Sequence, residues 1–225
     1  MKRYLGWISV KAEIFNVGKY RRKENAQPDA SFFEPQNVQG EKARRAAAEA
    51  AVADLLNWFR SDENNTVAIL DATNSTRDRR RWVYERITGA GVDAIFVESK
   101  CDDEQLIMGN ILEVKTTSPD YHGQDPEEAA KDFRNRIANY EKVYETIDES
   151  EKGYTYVKLI NIGHQVIINL IQDYLSSRLV YYLINLHIKP RHIWLSRVCL
   201  KSLLSLLSLP HNLELFGRNV AKRSG

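Results

Sequence analysis

The stretch VAILDATNST, Val67 to Thr76, places four apolar residues ahead of Asp71, then Thr73, Asn74 and Ser75 ahead of a basic run. A short apolar run bounded by turn-forming residues reads as a strand in a parallel sheet, with the polar residues opening the next helix. In open α/β sheets ligands bind outside the carboxyl ends of the strands. Asp71 and Thr73, with Arg77, Arg79, Arg80 and Arg81 just beyond, therefore suit a phosphate site holding a metal ion. The same residues also suit a helix N-cap followed by a solvated basic face, because Asp, Asn and Ser cap helices in any protein.

Working outward, Lys11 to Val17 alternates as a strand and stops at Gly18, and Gln39 to Phe59 is alanine-rich with helical spacing. Thr66 to Leu70 is the next strand, and Thr76 to Thr88 the next helix, closed by Gly89 and Gly91. Val92 to Glu98 predicts a third strand and Asp103 to Val114 a helix. Pro126 starts a long polar helix running to about Ile147, Tyr156 to Ile162 predicts a strand, and Gln165 to Ser177 a helix. Strands alternating with helices predict an α/β fold with a mostly parallel, doubly wound sheet. Leu179 to Ile188 reads as a short strand or crossing segment, and Ile193 to Ser196 as another strand. From Val198 the composition changes to the leucine and serine repeat CLKSLLSLLSLP, in which Leu200, Leu203, Leu204 and Leu207 share a helical face.

Composition narrows the class. The 225 residues are 43% hydrophobic and carry a formal net charge of +2, which suits a globular chain and gives no global basic field for nucleic acid. Cys101 and Cys199 are too few for a disulfide framework, and the amino terminus does not read as a signal peptide, so the cytoplasm is expected. The apolar stretches Val166 to Leu186 and Cys199 to Leu209 are interrupted or short of the roughly 20 residues that span a bilayer. No transmembrane helix is expected.

Asp71 fits a Walker-B-like arrangement, in which a carboxylate at a strand end holds magnesium or takes a proton from an attacking hydroxyl. The phosphate-cradling pattern G-x-x-x-x-G-K-S/T is absent: the only Gly-Lys pair, Gly18-Lys19, is followed by Tyr20 and has Glu13 where the first glycine should stand. Tyr20, Arg21, Arg22 and Lys23 follow the first strand, where guanidinium groups can grip phosphate or simply form an exposed basic loop. Arg44 and Arg45 lie near the start of a helix. Cys101 follows the third strand, Lys115 ends a helix, and Arg136 and Tyr140 share a helix face.

Five segments in order, FNVGKYRR at Phe15 to Arg22, ILDATNSTRDRR at Ile69 to Arg80, FVESKCDD at Phe96 to Asp103, NILEVKTTSPDY at Asn110 to Tyr121, and INIGHQVIINLIQDYLSSRLVYYLINLHIKPR at Ile160 to Arg191, form one signature. It resembles the kinase domain of the bifunctional 6-phosphofructo-2-kinase/fructose-2,6-bisphosphatase family, over roughly Lys2 to Arg197. The resemblance implies a P-loop NTPase fold like that of nucleoside-monophosphate kinases, and transfer of the ATP γ-phosphoryl group to the 2-hydroxyl of fructose 6-phosphate with Mg2+. It assigns Arg21, Arg44, Arg79 and Arg136 to the sugar phosphate, and Thr73 and Tyr140 to the sugar. It assigns Asp71 to catalysis and magnesium, and Cys101 to the neighbourhood of the active site. Asn110, Ile111, Leu112, Glu113, Val114 and Lys115 would line the nucleotide, with Lys115 also reaching the transferred phosphate or the sugar.

Two departures accompany the resemblance. MKRYLGW matches the helix that follows the family's Walker A loop, so the fold is expected to lack its first strand and that loop, and kinase activity to be very weak or absent. At the other end Val198 stands where the family's phosphorylated histidine would be, so no phosphatase function carries over. The expected organisation is a truncated kinase domain at 1–191 and a divergent tail at 192–225. The competing reading is a non-catalytic fragment that binds fructose 6-phosphate or pairs as a homodimer or with a full-length relative, with neither nucleic acid nor membrane as partner.

Overall fold

The structure is a computed structural model; it describes residues 1–24, 30–111, 120–121, 125–161 and 164–186. The chain divides into two compact units, Met1–His187 and Ile188–Gly225, and all described residues belong to the first. Among them the order is α1 (Lys2–Trp7), β1 (Ala12–Asn16), α2 (Val17–Glu24), a 3-10 turn (Ala30–Phe33), α3 (Val38–Ser61), β2 (Val67–Asp71), α4 (Arg77–Thr88), β3 (Ile95–Lys100), α5 (Glu104–Asn110), α6 (Pro126–Glu141), β4 (Thr155–Ile160), β5 (Gln165–Asn169) and α7 (Tyr174–Ile184).

The fold is α/β, and the strands form two separate sheets. β1 pairs with β2 in parallel, Asn16 opposite Asp71. β3 pairs with β4 in parallel, and β4 with β5 antiparallel, Tyr156 opposite Asn169. No ladder joins β2 to β3. Both strands border a cavity of about 1080 Å³.

Each half-sheet has its own core. Phe15, Val52, Leu55, Leu56, Val83 and Ile87 bury one, while Phe96, Ile147 and Tyr156 form the other, with Tyr84 and Tyr154 against them. Helix α4 belongs to both, since Val83 and Ile87 face the first core and Tyr84 the second, where its ring lies 4.4 Å from that of Tyr154. A buried ion pair completes the junction: Arg80 of α4 donates from Nε and Nη2 to the two carboxylate oxygens of Glu151 at 2.8 and 2.6 Å. Such two-pronged geometry offsets the desolvation that a buried pair must otherwise bear. Helix α4 thus packs against both cores.

Local sequence explains the helices. Side chains of Asn37, Thr76, Asp103, Asp125 and Asp173 accept from backbone N–H groups at the starts of α3, α4, α5, α6 and α7. Leu5 is fully buried, and Tyr4 stacks on Tyr182 of α7 at 4.3 Å, which anchors the short α1. Three expectations are corrected. Gln165 to Asn169 is a strand, because Val166, Ile167 and Ile168 are β-branched and a turn with Asn161 at φ 48° returns the chain beside β4. The following helix, Tyr174–Ile184, begins later than expected and covers much of the segment read as a short strand at Leu179 to Ile188. The region after β1 is a helix rather than a basic loop. Ile193 to Ser196 and the leucine repeat lie outside the described residues.

Candidate functional site

The carboxyl ends of β1 and β2 meet at Asn16 and Asp71, which pair in register. Asn16 does two jobs: its side-chain oxygen accepts from the Lys19 N–H at 3.0 Å, holding the first turn of α2, and its Nδ2 donates to Asp71. Asp71 is otherwise exposed, as is Thr73. Between Thr73 and α4 the chain turns at Asn74, whose φ of 44° lies in the left-handed region that asparagine tolerates.

The α2 helix carries Arg21 and Arg22 in its last turn, and Arg21 is 7% exposed. Arg21 Nη2 donates to Asp120 Oδ2 at 2.7 Å, Arg22 Nη1 to Asp120 Oδ1 at 3.1 Å, and Arg136 Nη1 to Asp120 Oδ2 at 3.0 Å. One carboxylate thus receives three guanidinium groups. Burial by itself would raise the Asp120 pKa, but Arg21, Arg136 and Arg22 outweigh it and hold the carboxyl below its ordinary value. Arg136, on α6, also donates from Nε to Asp132 at 2.8 Å.

Phe33 organises this group. Arg21, Arg44 and Arg136 lie over its ring at 5.4, 6.0 and 4.7 Å, and the Tyr140 ring is 5.8 Å away. Arg136 also lies 4.7 Å from the Tyr121 ring. The turn carrying Phe33 is docked on α6, since the Ala30 N–H donates to Asp132 and Asn139 donates to the Ala30 carbonyl. Arg44 donates to the Phe32 carbonyl, and Gly40 allows α3 to start there, because a Cβ at that position would collide with the same carbonyl. Four guanidinium groups therefore face two carboxylates. Arg21 Nη1 is buried and has no hydrogen-bond partner among the described residues.

The remaining expected residues stand apart. Arg79 lies over the Trp82 ring at 4.8 Å, with no carboxylate paired to it among the described residues; burial holds its guanidinium below the usual arginine range, Arg45 adds to this and Glu49 opposes it. Cys101 is half-buried just past β3, with Sγ 3.9 Å from the Asp103 carbonyl. Asn110 ends α5 and Ile111 is buried. Leu112, Glu113, Val114 and Lys115 lie outside the described residues. Among the described residues no three His, Cys, Asp or Glu side chains gather to hold a metal ion, and no helix is long and apolar enough to cross a membrane.

Residue-by-residue reading missed Phe33, Asp120, Asp132 and Asn16. Phe32-Phe33 was visible as an aromatic pair in a polar, proline-bounded stretch, and Asp120 as part of Ser118-Pro119-Asp120-Tyr121, but neither pattern states a partner.

The 6-phosphofructo-2-kinase family pattern matches residues 1–190. A Saccharomyces cerevisiae protein named fructose-2,6-bisphosphatase is 44% identical over 198 residues, 87% of this chain and 44% of that protein. The human protein named 6-phosphofructo-2-kinase/fructose-2,6-bisphosphatase 4 is 42% identical over 199 residues, 88% of this chain and 42% of that protein. A Gallus gallus protein named 6-phosphofructo-2-kinase/fructose-2,6-bisphosphatase shows the same identity and coverage. The chain spans less than half the length of these relatives.

Proposed function

The chain belongs to the 6-phosphofructo-2-kinase family, and from that premise we propose that it binds fructose 6-phosphate at the Phe33 arginine cluster for phosphorylation at the 2-hydroxyl by ATP. The observation that carries the reading is the buried Arg21 Nη1, without a hydrogen-bond partner among the described residues, beside a carboxylate held by three guanidinium groups. Guanidinium groups recognise oxyanions by paired hydrogen bonds. The Asp120 carboxylate paired with Arg21, Arg22 and Arg136 supports the reading that this cluster takes an oxyanion.

In this reading Arg21, Arg44 and Arg136 hold the sugar phosphate, Tyr140 and Thr73 hydrogen-bond the sugar, and Arg79 adds positive charge from α4. Asp71 receives the proton of the attacking hydroxyl; its exposure and its single tie to Asn16 leave one carboxylate edge for that purpose. Magnesium is held by one or two carboxylates together with substrate phosphates, and Asp71 as a lone carboxylate fits an ion that arrives with ATP. When bound, that ion neutralises charge on the phosphates. Asn110 to Lys115 would line the nucleotide, with Cys101 near the same edge.

The 225 residues contain no phosphate-cradling loop. Loss of one preorganised donor costs on the order of 10²–10³ in rate, so the 225 residues by themselves should turn over very slowly; the second reading is a sugar-phosphate-binding chain without catalysis. Division into a kinase-family region at 1–191 and an unrelated tail at 192–225, cytoplasmic residence and pairing with another subunit belong to the same proposal.

Calorimetry tests binding: fructose 6-phosphate should release or absorb heat with the chain, and Arg136→Ala should abolish it. No signal with the native chain rejects both readings. Product formation above an Asp71→Ala control, measured with ATP and Mg2+, separates the kinase from the binding chain.

A further inference from the structure

The motif FNVGKYRR holds two residues that the sugar-phosphate site does not use, Asn16 and Gly18. Asn16 ends β1 and stands opposite Asp71 in the parallel ladder, so the two side chains leave the same face of the sheet one strand spacing apart, about 4.8 Å. The next residue, Val17, opens α2. The Asn16 carboxamide therefore stands between a helix start and a strand end, and its orientation follows from what each neighbour can offer. The Lys19 N–H can only donate, and it reaches Asn16 Oδ1 at 3.0 Å, as it would reach any capping oxygen. Nδ2 is then the atom left for Asp71 Oδ2, and a carboxylate oxygen can only accept.

Gly18 keeps the space that this bridge occupies. A Cβ there would lie 2.9 Å from Asn16 Oδ1 and 3.1 Å from Arg22 Nη1, the group that donates to Asp120. The side chain at position 16 is equally constrained. Aspartate would cap α2 as well as asparagine does, but it would set a second carboxylate against Asp71, and like charges at that distance resist joint ionisation. A carboxamide accepts from the helix and donates to the carboxylate at once. Among the described residues the Asp71 side chain accepts from Asn16 alone, so this bond decides which carboxylate edge stays open. Further along α2, Arg21 reaches Asp120, so one short segment carries both the tie to Asp71 and the tie to the arginine cluster.

We propose that Asn16 is a positioning residue: through Nδ2 it turns the Asp71 carboxylate so that Oδ1 meets the 2-hydroxyl of a sugar phosphate held from the same helix by Arg21, with Gly18 clearing its place. The assignment rests on the sugar-phosphate reading, in which Asp71 faces that hydroxyl.

Calorimetry on the whole chain with two ligands tests it: fructose 6-phosphate, and the analogue that carries hydrogen in place of the 2-hydroxyl. Both present the same phosphate to the arginines, so the ratio of their affinities isolates the contact at the hydroxyl. A hydrogen bond to a charged group sets that ratio at roughly tenfold or more for the native chain. Asn16→Asp keeps the helix cap and should bring the ratio close to one. Gly18→Ala raises intrinsic helix propensity, yet it should shrink the ratio too, because the added Cβ displaces the carboxamide. If Asn16 only capped α2, the two affinities could change but their ratio would stay native, so a native ratio in either variant overturns the proposal. A second measurement needs no ligand: by nuclear magnetic resonance the Asn16 Nδ2 protons should exchange roughly tenfold or more faster in Asp71→Ala than in the native chain, and equal rates overturn the bridge. Native binding of both ligands with equal affinity rejects the role of Asn16 while the sugar-phosphate reading stands. No heat from either ligand rejects that reading and this role with it.

Discussion

β2 reads VAILD and β4 reads TYVKLI, yet no residue of β2 is buried whereas Tyr156, Val157 and Lys158 of β4 all are. Apolar content does not account for this, since β4 buries even a lysine. That lysine is neutralised and bonded, with Glu98 at 3.5 Å and the Ile147 carbonyl at 3.2 Å. Among the described residues β4 has β3 on one side and β5 on the other, whereas β2 has β1 alone. The strands with one neighbour, β1, β2, β3 and β5, bury at most one side chain each, and the strand with two buries three.

Helix α4 packs against both cores, so cutting its buried ion pair should have the largest effect. Glu151→Ala leaves Arg80 charged and unpaired in the interior and should cost about 3–5 kcal/mol, read from denaturant midpoints. Loss below about 1 kcal/mol would show that the halves hold together by other means.

A direct challenge comes from truncating each strand. Val157→Ala removes a side chain that is 1% exposed and should cost about 2–3 kcal/mol. Ile69→Ala removes more atoms but from a half-buried position beside the cavity, and should cost about 1 kcal/mol or less. Equal costs would mean that β2 is as well enclosed as β4.

A smaller effect separates the Asp120 arginine cluster from the strands. Asp120 has a folded pKa below its unfolded value, so its contribution is present above the unfolded pKa and is lost as pH falls through the folded one. Acid unfolding of the native chain should therefore steepen at the acidic end of the carboxylate range. Asp120→Asn should flatten that part of the curve, measured by circular dichroism against pH.

The smallest effect is expected at Lys11 and Asp62, an exposed pair at 2.6 Å between the start of β1 and the end of α3. Hydrogen bonds from Lys11 and Asn64 hold the Asp62 pKa down to about 2. Lys11→Ala should raise that pKa towards the ordinary carboxylate value, seen by side-chain titration, with no measurable change in melting temperature.

The legible parts of the sequence were those in which one period dominates. β1, β2 and β3 and the caps at Thr76 and Asp103 follow from runs of apolar residues and short polar punctuation. The hairpin formed by β4 and β5 was misread because QVIIN is too short for periodicity to separate strand from helix, and its β-branched content was the better guide. The basic positions Arg21 and Arg136 were named, but their burial was not foreseen. Burial depended on Phe33 and Asp120, which are distant in sequence and whose local patterns carry no charge-pairing signal.

Phe33 gives those arginines a genetic dependence on one another. Three cations share one aromatic ring, so a substitution at any of them alters the packing that the others meet, and paired substitutions should depart from the sum of the single ones. Variation at position 33 would then behave in a mutational screen like variation at the three arginines themselves, and its tolerated alternatives should change with the residue present at position 44.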